Sequence, residues 1–214
     1  MTRDPYQHLY EDSEISALHL VRRAADPTTT TDTHDIVRDL AHRHPALAEH
    51  DAAIAVTGAL ARLSHTALRA AATSLHPLTA QLLNDPSAPS PAQIRDITDV
   101  LDRMDADLLR RDPTPLGHCF IELTRLALAE WLPGGRSLHE SAAEPLEYAL
   151  ASTPVPADAL AQLVVRAAHL TLDCLHHLLG ANDTAGAPDG ALEQVLDGWE
   201  LYKITQQVAA ADAS

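Results

Sequence analysis

Apolar residues recur along this chain at intervals close to 3.6 residues, and proline, glycine and short polar clusters separate one such segment from the next. This period predicts α-helices, because it places the apolar side chains of each segment on one face. No segment alternates apolar and polar residues in the way that predicts a β-strand. We therefore expect an all-α fold: an irregular bundle of about seven or eight helices in a single domain, residues 1–214.

Four parts of this domain follow from the positions of the helix-breaking residues. They are an N-terminal helix with a threonine-rich connector (12–33), a helical core (34–179), a flexible loop (180–190) and a C-terminal helix (191–214). Within the core, Ser90 followed by Pro91 and Gln93 predicts a helix start, and Ser137 with Glu140 predicts another. Pro145 is expected to kink or divide the helix that Ser137 begins.

One helix of the core, predicted over 158–179, is apolar on nearly every side and carries a narrow polar stripe. At about 100° per residue, the stripe falls within roughly a third of the helix circumference. Its residues are Gln162, Arg166, His169, Asp173, His176 and His177. A helix of this kind is mostly buried, so the stripe either meets solvent or faces a specific partner. Gly180 and Asn182, which favour a left-handed backbone, are expected to end the helix.

Three residues of the polar stripe have the spacing of metal ligands. His169, Asp173 and His176 lie at i, i+4 and i+7, on one side of the helix and about one turn apart. Imidazole and carboxylate ligands suit iron, manganese or zinc. The spacing resembles the third-helix motif of the haem-oxygenase-like dinuclear metal oxidases, an all-α family. The resemblance implies that these three residues bind metal in a metal-dependent enzyme.

That family takes further ligands from other helices: a glutamate with a histidine seven residues later, and another glutamate. No glutamate of this chain has a histidine seven residues after it. The candidates for a further metal ligand are Glu130, Glu140 and Glu144. Glu130 projects toward the apolar side of its helix, which predicts a partly buried carboxylate with a partner. It could instead be exposed where the helix frays before Pro133.

The alternative, which the sequence favours, is that the polar stripe is a solvated helix face. Two pairs of residues on this face lie four positions apart, His169 with Asp173 and Asp173 with His177. Each pair would stabilise the helix by a few tenths of a kcal/mol. A carboxylate so close to the imidazoles is also expected to raise the pKa of at least one of them. The surface would then respond to pH.

The C-terminal helix has apolar residues on two nearly opposite faces. The first face consists of Leu192, Val195, Leu196, Trp199 and Tyr202. The second face consists of Leu201, Ile204 and Val208. Because two faces need two neighbours, one neighbour is expected to be a second copy of the chain, which predicts a homodimer.

The charge and the cysteines of the chain narrow the classes of partner. The net charge is −15, with the single lysine Lys203 against fourteen arginines, and no segment forms a basic face, which argues against nucleic acid. Cys119 and Cys174 match no metal-site spacing and are expected to be reduced core residues. Residues 1–14 lack the apolar stretch of a signal peptide, and no apolar run is long enough to cross a bilayer. We therefore expect a cytoplasmic protein without a membrane partner.

These patterns favour a non-enzymatic acidic protein that acts through protein–protein association, with itself or with another protein. The chain contains no complete set of catalytic residues, no glycine-rich phosphate loop and no cofactor-binding motif. The alternative is a metal-dependent enzyme with iron, manganese or zinc at His169, Asp173 and His176. A further alternative is a helical bundle that binds a small molecule, in a pocket that the sequence does not locate.

Overall fold

The described part of the chain is built of α-helices. A computed structural model describes residues 5–26, 28, 32–73, 89–111, 114–153, 156–182 and 190–212. These residues contain nine helices and no strand, so the predicted all-α fold is confirmed. The helices are α1 (Pro5–Ala25), α2 (Thr33–Arg43), α3 (Glu49–Thr73), α4 (Pro91–Arg111), α5 (Pro115–Ala129), α6 (Leu138–Ser141), α7 (Ala143–Ala151), α8 (Pro156–Asn182) and α9 (Ala191–Asp212). None of the described helices is both long enough and apolar enough to cross a membrane.

Capping hydrogen bonds confirm the two helix starts predicted within the core. The Gln93 N–H donates to Ser90 Oγ (3.3 Å), and the Ser90 N–H donates to Gln93 Oε1 (2.7 Å). Ser137 and Glu140 exchange the same two bonds at the start of α6, both at 3.3 Å. Each pair satisfies N–H groups that have no acceptor within the helix, which is why these residues set the boundary.

Two further predicted boundaries have different outcomes. A bend separates α6 from α7 close to Pro145, so the predicted division is confirmed. α8, by contrast, continues to Asn182, and Gly180 lies inside it without a positive φ. Leu178 is fully buried just before this glycine, and such packing outweighs the low helix propensity of glycine. The predicted loop therefore begins after Asn182, and its residues 183–189 lie outside the described part of the chain.

The two longest helices, α3 and α8, form the centre of the bundle. α3 packs chiefly against α8, and α1 and α5 cover its other sides. Alanines make up much of the buried surface of α3, which lets neighbouring helices approach closely. Between the two helices, Ser64 Oγ donates a hydrogen bond to Thr171 Oγ1 (3.0 Å), and Thr171 Oγ1 donates to the Ala167 carbonyl (2.7 Å). These buried hydroxyls are therefore satisfied within the core.

Both cysteines lie in this core as free thiols, as predicted. Cys119 of α5 and Cys174 of α8 are buried. Burial raises the pKa of each thiol to about 12, so neither forms a thiolate at neutral pH. Both cysteines therefore act as small apolar core residues.

Ion pairs attach the last helix to the first. α1 begins at Pro5, ahead of the residue 12 that the sequence indicated, and α9 packs against α1 and α8. Arg22 of α1 bonds three carboxylates of α9, with distances of 3.3 Å to Glu193, 2.7 Å to Asp197 and 2.5 Å to Glu200. One guanidinium thus holds three successive acidic positions of α9 against α1.

Candidate functional site

The polar stripe of α8 lies on the solvent-facing side of the helix. Five of its six residues are exposed: Gln162, His169, Asp173, His176 and His177. Most of the apolar residues on the other sides of α8 are buried in the bundle, as the pattern predicts, although Val165 is exposed. The stripe therefore meets solvent.

The structure does not bring His169, Asp173 and His176 together as a set of metal ligands. In the parts of the chain that the structure describes, no group of three or more histidine, cysteine, aspartate or glutamate side chains could hold a metal ion. Two of the glutamates considered as further ligands are placed elsewhere: Glu140 caps α6, and Glu144 is exposed in the first turn of α7. The metal-site prediction therefore has no geometric support in the described residues, because the stripe faces solvent instead of carboxylates on other helices.

Within the stripe, His177 behaves opposite to the expectation of a raised pKa. Its pKa is lowered because the ring is partly buried and because Arg103 of α4 places a positive charge near it. The charged group that acts on this imidazole is thus the guanidinium of the neighbouring helix α4, and not the carboxylate that the sequence suggested. The sequence could not indicate this, since it does not show which helix packs beside the stripe.

α9 has one packed face and one exposed apolar face, as the sequence predicts. On the packed face Trp199 is almost completely buried, together with the preceding apolar turn. On the other face Leu201, Ile204 and Val208 are 67%, 42% and 56% exposed. Their i, i+3, i+7 spacing matches the apolar positions of one coiled-coil heptad. We call these three residues the α9 seam.

A second candidate site is a cavity of about 120 Å³ between α1, α3, α9 and the turn after α5. We call it the His65 cavity. Its apolar walls include Leu18 and Leu63. Trp131 and Trp199, the only two tryptophans of the chain, and Lys203, its only lysine, also line the cavity. Segments distant in sequence thus bring both tryptophans and the single lysine of this protein to one place.

The charged groups of the His65 cavity are paired with one another. Arg62 of α3 donates two hydrogen bonds to Glu130, at 3.1 Å from Nη2 to Oε1 and 3.3 Å from Nε to Oε2. Glu130 also accepts the Leu138 N–H (3.2 Å). Lys203 Nζ donates to Glu14 Oε1 at 2.8 Å. The prediction that Glu130 is a partly buried carboxylate with a partner is therefore confirmed, and its partner is Arg62.

His65 is the buried polar group of this cavity that has no pair. The residue is only 2% exposed, and its Nε2 atom has no hydrogen-bond partner among the described residues. Burial, and to a smaller extent the positive charge of Arg69, lower its pKa to about 4, although the negative charge of Glu130 opposes this shift. The imidazole is therefore neutral at neutral pH.

Trp131 and Arg69 lie near this imidazole. The ring centres of His65 and Trp131 are 6.3 Å apart, with their planes tilted by 35°. The guanidinium carbon of Arg69 lies 5.4 Å from the centre of the Trp131 ring, a cation–π distance. The imidazole thus lies near an aromatic ring and a cation, and in the described part of the chain nothing bonds its Nε2 atom.

Sequence reasoning missed the α3 side of this site. Arg62, His65 and Arg69 lie at i, i+3 and i+7, so they share one face of a helix that is otherwise rich in alanine. That spacing, in a helix expected to be central, was the feature of the sequence that could have indicated a polar site inside the bundle. It was ambiguous because the sequence does not show whether a polar face of α3 meets solvent or Trp131.

No protein-family model matches the chain, and no curated protein or solved structure matches it either. Function is therefore inferred from the α9 seam and the His65 cavity alone.

Proposed function

We propose that the protein acts by association, and that its partner is a second copy of the chain that pairs with it through the α9 seam. The observation that supports the proposal most is the exposure of Leu201, Ile204 and Val208 on a helix whose opposite face is packed. Apolar side chains that are exposed singly need no explanation, whereas a continuous row of them is typical of a contact surface.

The spacing of the α9 seam favours another helix as the partner. Side chains at i, i+3 and i+7 form a narrow stripe along one helix, and such a stripe packs best against a helix with the same spacing. A second α9 supplies it. Pairing of two identical seams about a twofold axis is an isologous contact, the commonest arrangement in homodimers.

The charge distribution along α9 also favours a second copy. The chain carries a net charge of −15, so two copies repel each other at long range. Between Glu200 and Asp212, however, α9 has a single charged residue, Lys203, and that residue is bonded to Glu14 of α1. The α9 seam is thus a neutral strip on which two acidic molecules can meet.

We expect the dimer to be weak. Stable protein interfaces bury about 800 Å² on each partner, and a seam of one heptad offers less. A dissociation constant in the micromolar range or above, corresponding to at most about 8 kcal/mol of binding free energy, is the expected order of magnitude.

Sedimentation velocity across a wide range of protein concentrations tests the proposal. We expect the dimer fraction of the wild type to rise with concentration. The double variant Leu201→Glu, Ile204→Glu should stay monomeric, because four carboxylates would meet in the paired seams. A circular dichroism spectrum shows whether the variant keeps its helices.

The matched control is Leu109→Glu, which makes the same change at an exposed leucine (61%) of α4, away from the seam. This variant should dimerise like the wild type. A wild type that is monomeric at every concentration, or a dimer that the double variant leaves intact, would contradict the proposal.

The proposal includes a cytoplasmic location. Two buried free thiols without a disulfide suit a reducing compartment, where thiols stay reduced. Association through a weak, neutral seam then depends on the concentration of the protein in that compartment.

A further inference from the structure

We propose that the His65 cavity binds a small neutral molecule that combines an apolar body with one hydroxyl group. This binding site lies on the inner side of α9, whereas the α9 seam lies on its outer side. The inference is therefore independent of the proposed association and goes beyond it.

The ion pairs of the cavity indicate a neutral ligand. Arg62 is held by Glu130 through two hydrogen bonds, and Lys203 is held by Glu14. An anionic ligand would have to displace a carboxylate from its cation, and a cationic ligand would have to displace a cation. A neutral ligand leaves both pairs intact.

The unpaired Nε2 of His65 indicates a hydroxyl group. Buried polar atoms in proteins nearly always have a hydrogen-bond partner, so an imidazole nitrogen without one marks a place where a ligand can supply it. The neutral ring accepts or donates at this nitrogen according to its tautomer. A hydroxyl group fits both cases, because it can donate or accept.

The size and walls of the cavity limit the apolar body. A volume of about 120 Å³ is somewhat smaller than the cavity of about 150 Å³ that is known to hold benzene in another protein. Trp131, Trp199 and Leu18 provide aromatic and aliphatic surface around it. A ring of about six carbon atoms is therefore close to the upper limit of size, and phenol, which adds one hydroxyl to such a ring, is the simplest probe of this class.

The experiment is a titration of the wild-type protein with phenol and, separately, with benzene, followed by the indole N–H signals in ¹H–¹⁵N NMR spectra. The chain has two tryptophans and both line the cavity, so both indole signals report on it. We expect saturable shifts with both probes, and binding of phenol about tenfold tighter than benzene, which is the effect of about one hydrogen bond. The His65 Nε2 signal should move further with phenol than with benzene, because only phenol can form a hydrogen bond to it.

The variant His65→Leu removes the hydrogen-bonding nitrogen and keeps an apolar side chain. It should bind phenol and benzene equally. The matched control His176→Leu changes an exposed histidine of α8 in the same way and should keep the preference for phenol.

Three results would overturn the inference. They are the absence of any saturable indole shift in the wild type, equal binding of the two probes by the wild type, and an unchanged preference in His65→Leu. The first and second results need only the wild-type protein, so they decide the question even where the variant does not fold. None of them depends on whether the α9 seam forms a dimer.

Discussion

At the scale of single residues, the buried imidazole of His65 links the stability of the protein to pH. Its pKa is about 4 in the folded chain, against an ordinary value of 6.5 that it regains on unfolding. At pH values between about 4 and 6.5, the unfolded state therefore binds more protons than the folded state. The free energy of unfolding therefore rises with pH across this window, and this contribution is lost as pH falls from about 6.5 toward 4.

We predict that His65 accounts for about 2 kcal/mol of the stability lost between pH 7 and pH 5, at about 1.4 kcal/mol per pH unit inside the window. Urea unfolding of the wild type and of His65→Gln at both pH values measures this contribution. The free energy of unfolding should differ between pH 7 and pH 5 by about 2 kcal/mol less in the variant than in the wild type. His176→Gln, at an exposed position, serves as the control and should behave like the wild type. Equal pH dependence in all three proteins would contradict a neutral buried His65.

At the scale of helices, Glu130 joins three elements at the edge of the His65 cavity. It lies at the end of α5, bonds Arg62 of α3 through both carboxylate oxygens, and accepts the Leu138 N–H at the start of α6. Its side chain is 24% exposed, so solvent screens the pair only in part. Bidentate geometry and partial burial distinguish this pair from an ordinary surface ion pair.

We predict a coupling energy of about 1 kcal/mol between Arg62 and Glu130, measured by a double-mutant cycle with Arg62→Met and Glu130→Gln. The matched control is the Asp35 and Arg38 pair of α2, a single bond of 3.1 Å between two mostly exposed side chains. That pair should couple by a few tenths of a kcal/mol at most. Equal coupling energies for the two pairs would contradict the structural role assigned to Glu130.

The helices also show which features of the fold can be predicted from sequence. The Ser90 and Ser137 starts were predictable, because a capping residue and its partner three positions later act within a single turn. The end of α8 was not, because Gly180 stays helical through the burial of residues that contact distant helices. Local signals therefore set a helix boundary where no packing opposes them, as at Ser90 and Ser137, and fail where buried contacts override them, as at Gly180.

The same distinction applies to the candidate sites. The α9 seam was predictable, since the spacing of Leu201, Ile204 and Val208 lies within one helix. The partner of Glu130 could be expected but not identified, because Arg62 comes from another helix. His65 was missed, since the spacing of the polar residues on its face of α3 does not show that four elements meet there.

At the scale of the whole molecule, α9 is the element on which both proposals depend. Its outer face is the α9 seam, and its inner face supplies Trp199 and Lys203 to the His65 cavity. Arg22 holds this helix against α1 through three carboxylates, although it belongs neither to the seam nor to the cavity lining. In a chain with a net charge of −15, this cation also offsets repulsion among the acidic side chains around it.

We predict that Arg22→Met loosens α9 without unfolding the rest of the bundle. Removal of the cation leaves Glu193, Asp197 and Glu200 close together without their counter-charge. Amide hydrogen exchange in α9 should become about tenfold faster, corresponding to about 1.4 kcal/mol, while exchange in α3 stays as in the wild type. Added salt should reverse part of the effect, since it screens the remaining carboxylates.

The control is Arg43→Met, since Arg43 pairs with Asp12 and Asp39 and thus ties α2 to α1. It should leave exchange in α9 unchanged. Because α9 supplies Trp199 and Lys203 to the cavity and also carries the seam, Arg22→Met should also weaken phenol binding and dimerisation together. If exchange in α9 were unchanged in Arg22→Met, the three ion pairs of Arg22 would not be what holds the helix, and its attachment would rest on its other contacts, which include the burial of Trp199 and the bond from Lys203 to Glu14.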